Sequence, residues 1–342
     1  MAANRAPSVP MSSWGRAYFA AQAIAGSVCW AAVFALPSVC AATLGGLSPV
    51  ATAVFDIPLF VISSALAASG VKVASLVAVA AAWTSLVSAG LAVYATVTTE
   101  AGCGVPIMAA AAAGSVIAMC LIWFGRIPTR FILIGPFAFR PAPIRSKVTV
   151  DVACTLAQLL IFWGSFLVLF PGVLTVAERR WELALVFPPV ARPVGVILFL
   201  LAGALGVVSA LLMSTKGHGT PLPSAMPNRL VVVGPYRWIR NPMAVAGITQ
   251  GAAVGLLLSS WLVIVYAVAG SVMWNYAVRP IEESDLEARF GNDFRKYRET
   301  VRCWLPRIDA STRAYGHRDF TGAGLAQLKQ NCHPPGHQRV EQ

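Results

Sequence analysis

The strongest chemical signal in this sequence is the stretch from Gly234 to Pro242, which reads GPYRWIRNP. Asn241 followed by Pro242 predicts the start of a helix, because asparagine caps helix N-termini and a proline at the first helical position loses no required hydrogen bond. Free backbone N–H groups and the positive end of the helix dipole would then lie beside Arg237 and Arg240. This arrangement favours a bound carboxylate or phosphate.

Two other polar clusters could complete such a site. Gly217-His218-Gly219 follows one long apolar segment, and Glu282-Glu283 follows another. The glycines would let a ligand approach the backbone, and the glutamates could hold a cation, a ribose hydroxyl or an ammonium group. A zwitterionic ligand that contains a ribose would use the glycines, the glutamates and the arginines together.

The composition indicates a membrane protein. The 342 residues are 57% hydrophobic and 12% charged, with a mean hydropathy of +0.69, which predicts an all-helical, polytopic transmembrane bundle in the lipid bilayer. The net charge of +12 is typical of proteins whose cytoplasmic loops collect lysine and arginine. No basic tract is interleaved with stacking aromatic residues, so we expect no nucleic-acid partner. The seven cysteines form no C-x-x-C pair, and no metal site is predicted.

Eight apolar segments are long enough to be spans of this bundle. They cover residues 17–37, 50–69, 73–97, 106–125, 152–172, 193–213, 242–258 and 261–278. Lysine and arginine concentrate in the fourth and sixth connections, so we expect the even-numbered connections and both termini on the cytoplasmic side, with the plasma membrane as the location. The first segment has features of a cleaved signal peptide, but its length favours an uncleaved span.

The polar clusters are confined to the second half of the chain. We interpret residues 1–150, which contain four alanine- and valine-rich spans and a basic linker, as a transmembrane scaffold of unknown function. Residues 151–308 are predicted to be the domain that carries the chemistry. Residues 309–342 are polar, contain glycine and proline and lack periodicity, which predicts a disordered cytoplasmic tail.

The last two spans are separated only by Ser259-Ser260, which predicts a tight helical hairpin. Such a hairpin returns the chain to the membrane face where Asn241 lies, so that Glu282 and Glu283 can fold back over the first motif. The segment after the hairpin has apolar residues at helical spacing and charges on its other faces, which predicts an amphipathic helix along the membrane interface. The apolar residues are Phe290, Phe294, Tyr297 and Val301.

An ordered set of short motifs connects these clusters to a known family. The motifs are Gly-x-Gly at 217–219, GPYRxxRNP at 234–242, a hydrophobic hairpin, EExxL at 282–286, FGxxFxxY at 290–297 and Leu305-Pro306. In this order they resemble the isoprenylcysteine carboxyl methyltransferase and phospholipid methyltransferase superfamily over residues 193–308. The resemblance implies an integral-membrane enzyme that uses S-adenosylmethionine, and it does not extend to the first four spans.

The resemblance also assigns roles to individual residues. It implies catalytic roles for Arg237, Arg240 and Asn241. The residues that would bind the cofactor are Gly217, His218, Gly219, Tyr236, Asn241, Pro242, Glu282 and Glu283. Two positions depart from the family pattern: Asn241 stands where the isoprenylcysteine enzymes usually have histidine, and Ala244 where an aromatic residue is common. Asparagine does not titrate near neutrality, and alanine removes a possible wall of the cofactor pocket.

The implied acceptor is a lipid-like or otherwise membrane-partitioning molecule. By resemblance it is a prenylcysteine carboxylate, while phospholipid amines and small thiols stay open. A membrane reductase of the steroid 5-alpha type, which binds NADPH, has a similar pattern of aromatic, Arg and Asn/His-Pro residues, but Glu282-Glu283 and Phe290-Gly291 favour the methyl donor. A non-enzymatic scaffold or transporter would carry charges deep within its spans, and only Asp56 is such a residue.

Overall fold

The structure, a computed structural model, describes residues 11–70, 73–129, 147–220 and 226–306. Most of the predicted basic linker and the whole predicted tail, residues 309–342, lie outside the described residues. Within the described ranges the chain folds into helices and contains no strand. The predicted all-helical, polytopic transmembrane bundle is confirmed.

The helices of the described ranges are numbered in chain order. They are α1 Met11–Ala35, α2 Pro37–Leu44, α3 Pro49–Asp56, α4 Ser63–Ser69, α5 Val73–Thr98, α6 Gly104–Phe124, α7 Val148–Trp163, α8 Phe170–Arg180, α9 Ala191–Gly217, α10 Pro242–Leu258, α11 Trp261–Met273 and α12 Arg279–Thr300. Three π-helical segments join consecutive helices: Ile57–Ile62 between α3 and α4, Gly164–Leu169 between α7 and α8, and Trp274–Val278 between α11 and α12. A short 3-10 turn, Gly234–Arg237, precedes α10.

Each predicted span coincides with an apolar helix. Seven helical stretches of the described residues are long and apolar enough to cross a membrane, and α10 is a shorter apolar helix of 17 residues. At about 1.5 Å per residue, α10 is roughly 26 Å long, slightly less than a bilayer core. The second span is continuous through Asp56 and Pro58, because the wider π-helical turn accommodates the proline.

The described residues group into two compact units. The first comprises the described parts of residues 1–132, 165–195 and 254–266, and the second comprises those of 133–164, 196–253 and 267–342. The turn of the final hairpin therefore belongs to the first unit, whereas both ends of the hairpin belong to the second. The predicted functional boundary near residue 150 stays a prediction.

Buried polar side chains in the first unit bind one another. The two carboxylate oxygens of Asp56 accept hydrogen bonds from the indole Nε1 atoms of Trp30 and Trp83 at 2.8 and 2.7 Å. Ser115 Oγ donates to Gln22 Oε1 at 2.9 Å. Hydrogen bonds of this kind hold helices together where the surroundings are apolar. Asp56, the one acid predicted within the early spans, thus has a structural role.

The final hairpin is confirmed as a tight antiparallel pair. Ser259 turns the chain between α10 and α11 with a left-handed backbone at φ 52°. Glycines on α10 bring the two helices close: a Cβ on Gly255 would lie 2.6 Å from Ile264 Cγ1, and one on Gly251 would lie 3.2 Å from Ala267 Cβ. This close packing returns α11 along α10 toward the residue at which α10 begins.

A buried glutamate near the C-terminal end of α8 holds the hairpin turn. Glu178, only 1% exposed, accepts hydrogen bonds from the Ser260 hydroxyl and from the Leu262 backbone N–H, the latter at 3.2 Å. Trp261 Nε1 donates to the Leu183 carbonyl at 2.9 Å. The carboxylate therefore caps the N-terminus of α11, where the helix dipole favours negative charge.

We expect Glu178→Leu to lower the apparent Tm of the detergent-purified protein. The Ser260 hydroxyl and the Leu262 N–H would lose a buried acceptor, at a cost of about 1–3 kcal/mol for each group. Glu182, four residues further along the chain and exposed, provides the matched control, and Glu182→Leu should leave Tm nearly unchanged. Equal Tm values for the two variants would contradict the capping role.

Candidate functional site

The candidate site is built around the first turn of α10. Asn241 Oδ1 accepts a hydrogen bond from the Ala244 backbone N–H at 3.0 Å, and the buried Pro242 occupies the first helical position. The predicted asparagine-capped helix start is therefore confirmed. The amide of Asn241 also donates from Nδ2 to Glu282 Oε2 at 3.3 Å. One side chain thus caps α10 and binds α12.

A second set of contacts, most of them made by charged groups, joins Arg240 to α12 and to the residues just after it. Arg240 Nη2 lies 2.9 Å from Glu283 Oε1, and Arg279 Nε lies 3.4 Å from the same oxygen. Arg240 Nη1 donates to the Arg298 carbonyl at 2.9 Å, and the Arg240 backbone N–H donates to the Arg302 carbonyl at 3.0 Å. The predicted convergence of Arg240, Asn241, Glu282 and Glu283 is observed directly in these distances.

The apolar face of α12 packs inside the protein. Phe294, Tyr297 and Val301 are buried, and Leu230 and Val232 pack against them. The sequence prediction placed this face against the membrane interface. The structure instead covers it with the segment that precedes the GPYRWIRNP motif, because that segment supplies an apolar partner within the same chain.

A hydrogen bond and a break in α12 fix this packing. Tyr297 Oη donates to the Tyr236 carbonyl at 2.6 Å, which joins α12 to the 3-10 turn. Gly291 has φ 52° and ψ −125°, a conformation that interrupts α12 and strains any residue with a side chain. The part of α12 after Gly291 can therefore turn its aromatic side chains onto the 230–232 segment.

The Gly-x-Gly segment packs closely against a later part of the same chain, residues 226–229. The Gly217 carbonyl accepts hydrogen bonds from the backbone N–H groups of Asn228 and Arg229 at 2.8 and 3.1 Å. A Cβ on Gly219 would lie 2.5 Å from the Cα of Pro227, and His218 adopts φ 53°. In the structure, the backbone that these glycines admit is that of residues 226–229.

These contacts surround a cavity of about 300 Å³ in the second unit. Its walls come from α7, α9, α10, α12, the π-helical segment before α12 and residues 226–231. Five residues that the sequence assigned to the site line it: Tyr236, Arg240, Asn241, Glu282 and Glu283. The other assigned residues are outside its lining: Gly217, His218, Gly219, Arg237 and Pro242.

Residues 190–293 match the family model described as phospholipid methyltransferase. The predicted resemblance of the C-terminal half is confirmed. The matched region contains every residue that the sequence assigned to the site, and it supports a membrane methyltransferase in general. No curated protein and no solved structure gave a significant match.

The phospholipid methyltransferase-like region does not supply the whole cavity. Gln158 and Phe162 on α7 and Cys303 after α12 line it from outside the matched residues. Sequence reasoning missed these residues, together with Arg279 and Gln250. Two features of the sequence could have indicated Arg279 and Gln250. Arg279 is four residues before Glu283, a spacing at which helical side chains pair, and Gln250 is a polar residue within an apolar span.

Two ionisable groups of the cavity wall stay neutral near pH 7. Burial raises the pKa of Cys303, and the nearby guanidinium groups of Arg240 and Arg279 offset this only in part. Burial also raises the pKa of Tyr236, and the neighbouring Tyr297 and Glu282 act in the same direction. Cys303 is therefore a thiol rather than a thiolate nucleophile, and Tyr236 is a hydrogen-bonding wall rather than a base.

We expect Asn241→Ala to destabilise the protein through the lost cap, by about 0.5–2 kcal/mol. Asn241→Ser restores an oxygen that can cap α10, although it is too short to bind Glu282. Thermal unfolding in detergent should therefore rank wild type and Asn241→Ser close together, with Asn241→Ala clearly below them. If both variants lose the same stability, the bond to Glu282 rather than the cap is the important contact.

Proposed function

We propose that this protein is an integral-membrane methyltransferase that uses S-adenosylmethionine and methylates a membrane-partitioning acceptor. The observation that carries the proposal is the convergence of Arg240, Asn241, Glu282 and Glu283 on one cavity whose other walls are largely apolar. The family match to phospholipid methyltransferases over residues 190–293 supports it. The basic connections favour a site that faces the cytoplasm, in the plasma membrane.

The charged end of the cavity has groups that fit a zwitterionic donor. The Nε atom of Arg240 is buried and has no hydrogen-bond partner within the described part of the chain, and that of Arg279 makes only an ion pair of 3.4 Å with Glu283. These N–H groups suit the carboxylate of the donor's methionine part. Glu282 accepts a bond from Asn241 and, as a carboxylate, has further acceptor sites for a ribose hydroxyl or an ammonium group.

The protein's contribution to the reaction is to bind and orient. S-adenosylmethionine supplies, when bound, a methyl group on a positively charged sulfur. The side chains of Trp274 and Phe290 line the cavity, and aromatic faces attract cations. Because the transfer itself needs little proton chemistry, most of the rate enhancement comes from holding the two reactants in line and excluding water. The side chains of Cys303 and Tyr236, which line the cavity and are neutral, are consistent with a reaction that needs little proton chemistry.

The inner walls of the cavity suit an acceptor that has an apolar chain. Leu159, Phe162, Met243 and Gly247 line this part, on helices that are themselves apolar. A soluble acceptor would not need such a wall, whereas a prenyl or acyl chain gains free energy from it. Of the acceptor heads left open by the sequence, a carboxylate suits best the remaining Nη N–H groups of Arg240, whose Nε would serve the donor's carboxylate.

Calorimetric titration of the detergent-purified protein with S-adenosylhomocysteine and with NADPH tests the donor. We expect S-adenosylhomocysteine to bind, because its zwitterionic part can use the arginine and glutamate groups described above. NADPH should not bind measurably. Binding of NADPH alone would overturn the proposal in favour of a steroid 5-alpha-type reductase, and binding of neither ligand would favour a scaffold.

Variants of the charged contacts test the site. Glu283→Gln and Arg240→Ala should each reduce donor affinity by about tenfold or more, because they misplace or remove the guanidinium that would bind the donor's carboxylate, and a hydrogen bond to a charged group is worth about 1.5–3 kcal/mol. Membrane insertion should be unchanged. Asp285→Asn is the matched control: Asp285 pairs with Arg289 on the same helix at 3.4 Å and is outside the cavity lining. Full donor binding by both site variants would show that the site lies elsewhere.

A further inference from the structure

The inner part of the cavity contains a polar group that the donor contacts do not use. Gln250 lines the cavity from α10 and is only 1% exposed. Its Nε2 atom is buried and has no hydrogen-bond partner within the described residues. Buried amide groups are almost always paired, because an unpaired donor loses its bonds to water without replacement. Because Gln250 also lines the cavity, an atom of a ligand bound there is a suitable hydrogen-bond acceptor for Nε2.

The Gln250 side chain packs against α9 and also lines the cavity. A Cβ on Gly203 would lie 3.3 Å from Nε2, so the backbone of α9 closes one side of the amide. Ala246, Gly247 and Gly206, which also line the cavity, provide no side-chain hydrogen-bond acceptor. Gln250 therefore does not use Nε2 to bind a neighbouring helix, which is the usual role of glutamine in an apolar bundle.

Gln250 lies well beyond the charged end of the cavity. The lining residues Met243, Ala246, Gly247 and Gln250 share one face of α10, at spacings of three, four and seven residues. With a rise of about 1.5 Å per residue, Gln250 is about 13 Å along the helix axis from Asn241. A ligand that reaches both points has a charged head, an apolar stretch and then a neutral hydrogen-bond acceptor.

We propose that Gln250 donates a hydrogen bond to a neutral oxygen atom in the chain of the methyl acceptor, about 13 Å from its head group. This inference rests on the proposed function, which places the acceptor's head beside Arg240. An ether, ester or hydroxyl oxygen meets the requirement, whereas a second charge would pay a large desolvation cost at this depth. The acceptor is thus an oxygen-bearing amphiphile rather than a plain isoprenoid hydrocarbon.

A set of paired probes tests both the position of the oxygen along the ligand chain and the role of Gln250. The probes are a long-chain alkyl carboxylate and analogues in which one chain methylene is replaced by an ether oxygen at successive positions. Their affinities for the full-length protein in lipid nanodiscs are measured by native mass spectrometry. Wild type should bind the analogue with its oxygen about 13 Å from the carboxylate about tenfold more tightly than the hydrocarbon probe, which corresponds to about 1.4 kcal/mol.

Substitution of the glutamine should remove this preference. Gln250→Leu should bind the ether and hydrocarbon probes equally, and Gln250→Met, a second apolar variant, should behave in the same way. Gln158→Leu is the matched control: Gln158 also lines the cavity, but its Nε2 already donates to Thr220 Oγ1 at 3.3 Å. Its buried Oε1 has no partner within the described residues, but an amide oxygen cannot donate to an ether oxygen. It should keep the wild-type preference at the deep position.

The outcomes separate this inference from the proposed function. S-adenosylhomocysteine affinity is measured for each variant, and wild-type affinity in Gln250→Leu or Gln250→Met shows that the donor site is folded. A wild-type protein without the ether preference, or a preference that persists in the folded Gln250 variants, would overturn the role of Gln250. Failure of wild type to bind S-adenosylhomocysteine would overturn the proposed function instead.

Discussion

The arrangement of the site depends on the guanidinium group of Arg240. It binds Glu283 near the start of α12 and the Arg298 carbonyl near its end, while the backbone of Arg240 binds Arg302. A lysine could not make the two side-chain bonds in the same fixed geometry, because it lacks the planar fork of donors. The side chains of Arg240 and Glu283 are 12% and 20% exposed. A pair this deeply placed adds little net stability over an apolar pair, so its main contribution is to position the two helices.

The position of Arg279, the second arginine beside Glu283, depends on how α11 continues into α12. The π-helical segment Trp274–Val278 changes the rotation of the helix immediately before Arg279. Within this segment, Asn275 Oδ1 accepts bonds from Arg279 Nη1 at 2.7 Å and from Trp304 Nε1 at 3.0 Å. Arg279 is thereby held with its Nε close to Glu283. A regular helix from Trp261 would present Arg279 and the two glutamates in a different direction.

The features that the sequence predicted are those determined by neighbouring residues. Apolar length determines the spans, Asn241-Pro242 determines the start of α10, and the two serines between α10 and α11 leave room only for a tight turn. The sequence did not predict what depends on distant parts of the chain. The break at Gly291, the capping role of Glu178 and the position of Gln250 all require knowledge of which helix packs against which.

The Gly-x-Gly segment illustrates the limit of reading a motif by residue type. A glycine signals that something approaches the backbone closely, but the residue type does not distinguish a ligand from the protein's own chain. Here Gly217 and Gly219 admit residues 226–229, of which Met226, Pro227 and Arg229 line the cavity. The glycines therefore act on the site through the wall that they support.

The departure from the family pattern at position 241 has a structural consequence of its own. Asn241 uses Oδ1 to cap α10 and Nδ2 to bind Glu282, so both ends of its amide are engaged. A histidine could replace either bond. Its charge would vary with pH near neutrality, however, and the strength of its contact with Glu282 would vary with that charge. An amide does not titrate in that range, so Asn241 keeps its cap on α10 and its N–H donor toward Glu282 whatever the pH. For methyl transfer, where positioning matters more than proton exchange, a fixed contact at this place is sufficient, and the proposed reaction does not require the missing imidazole.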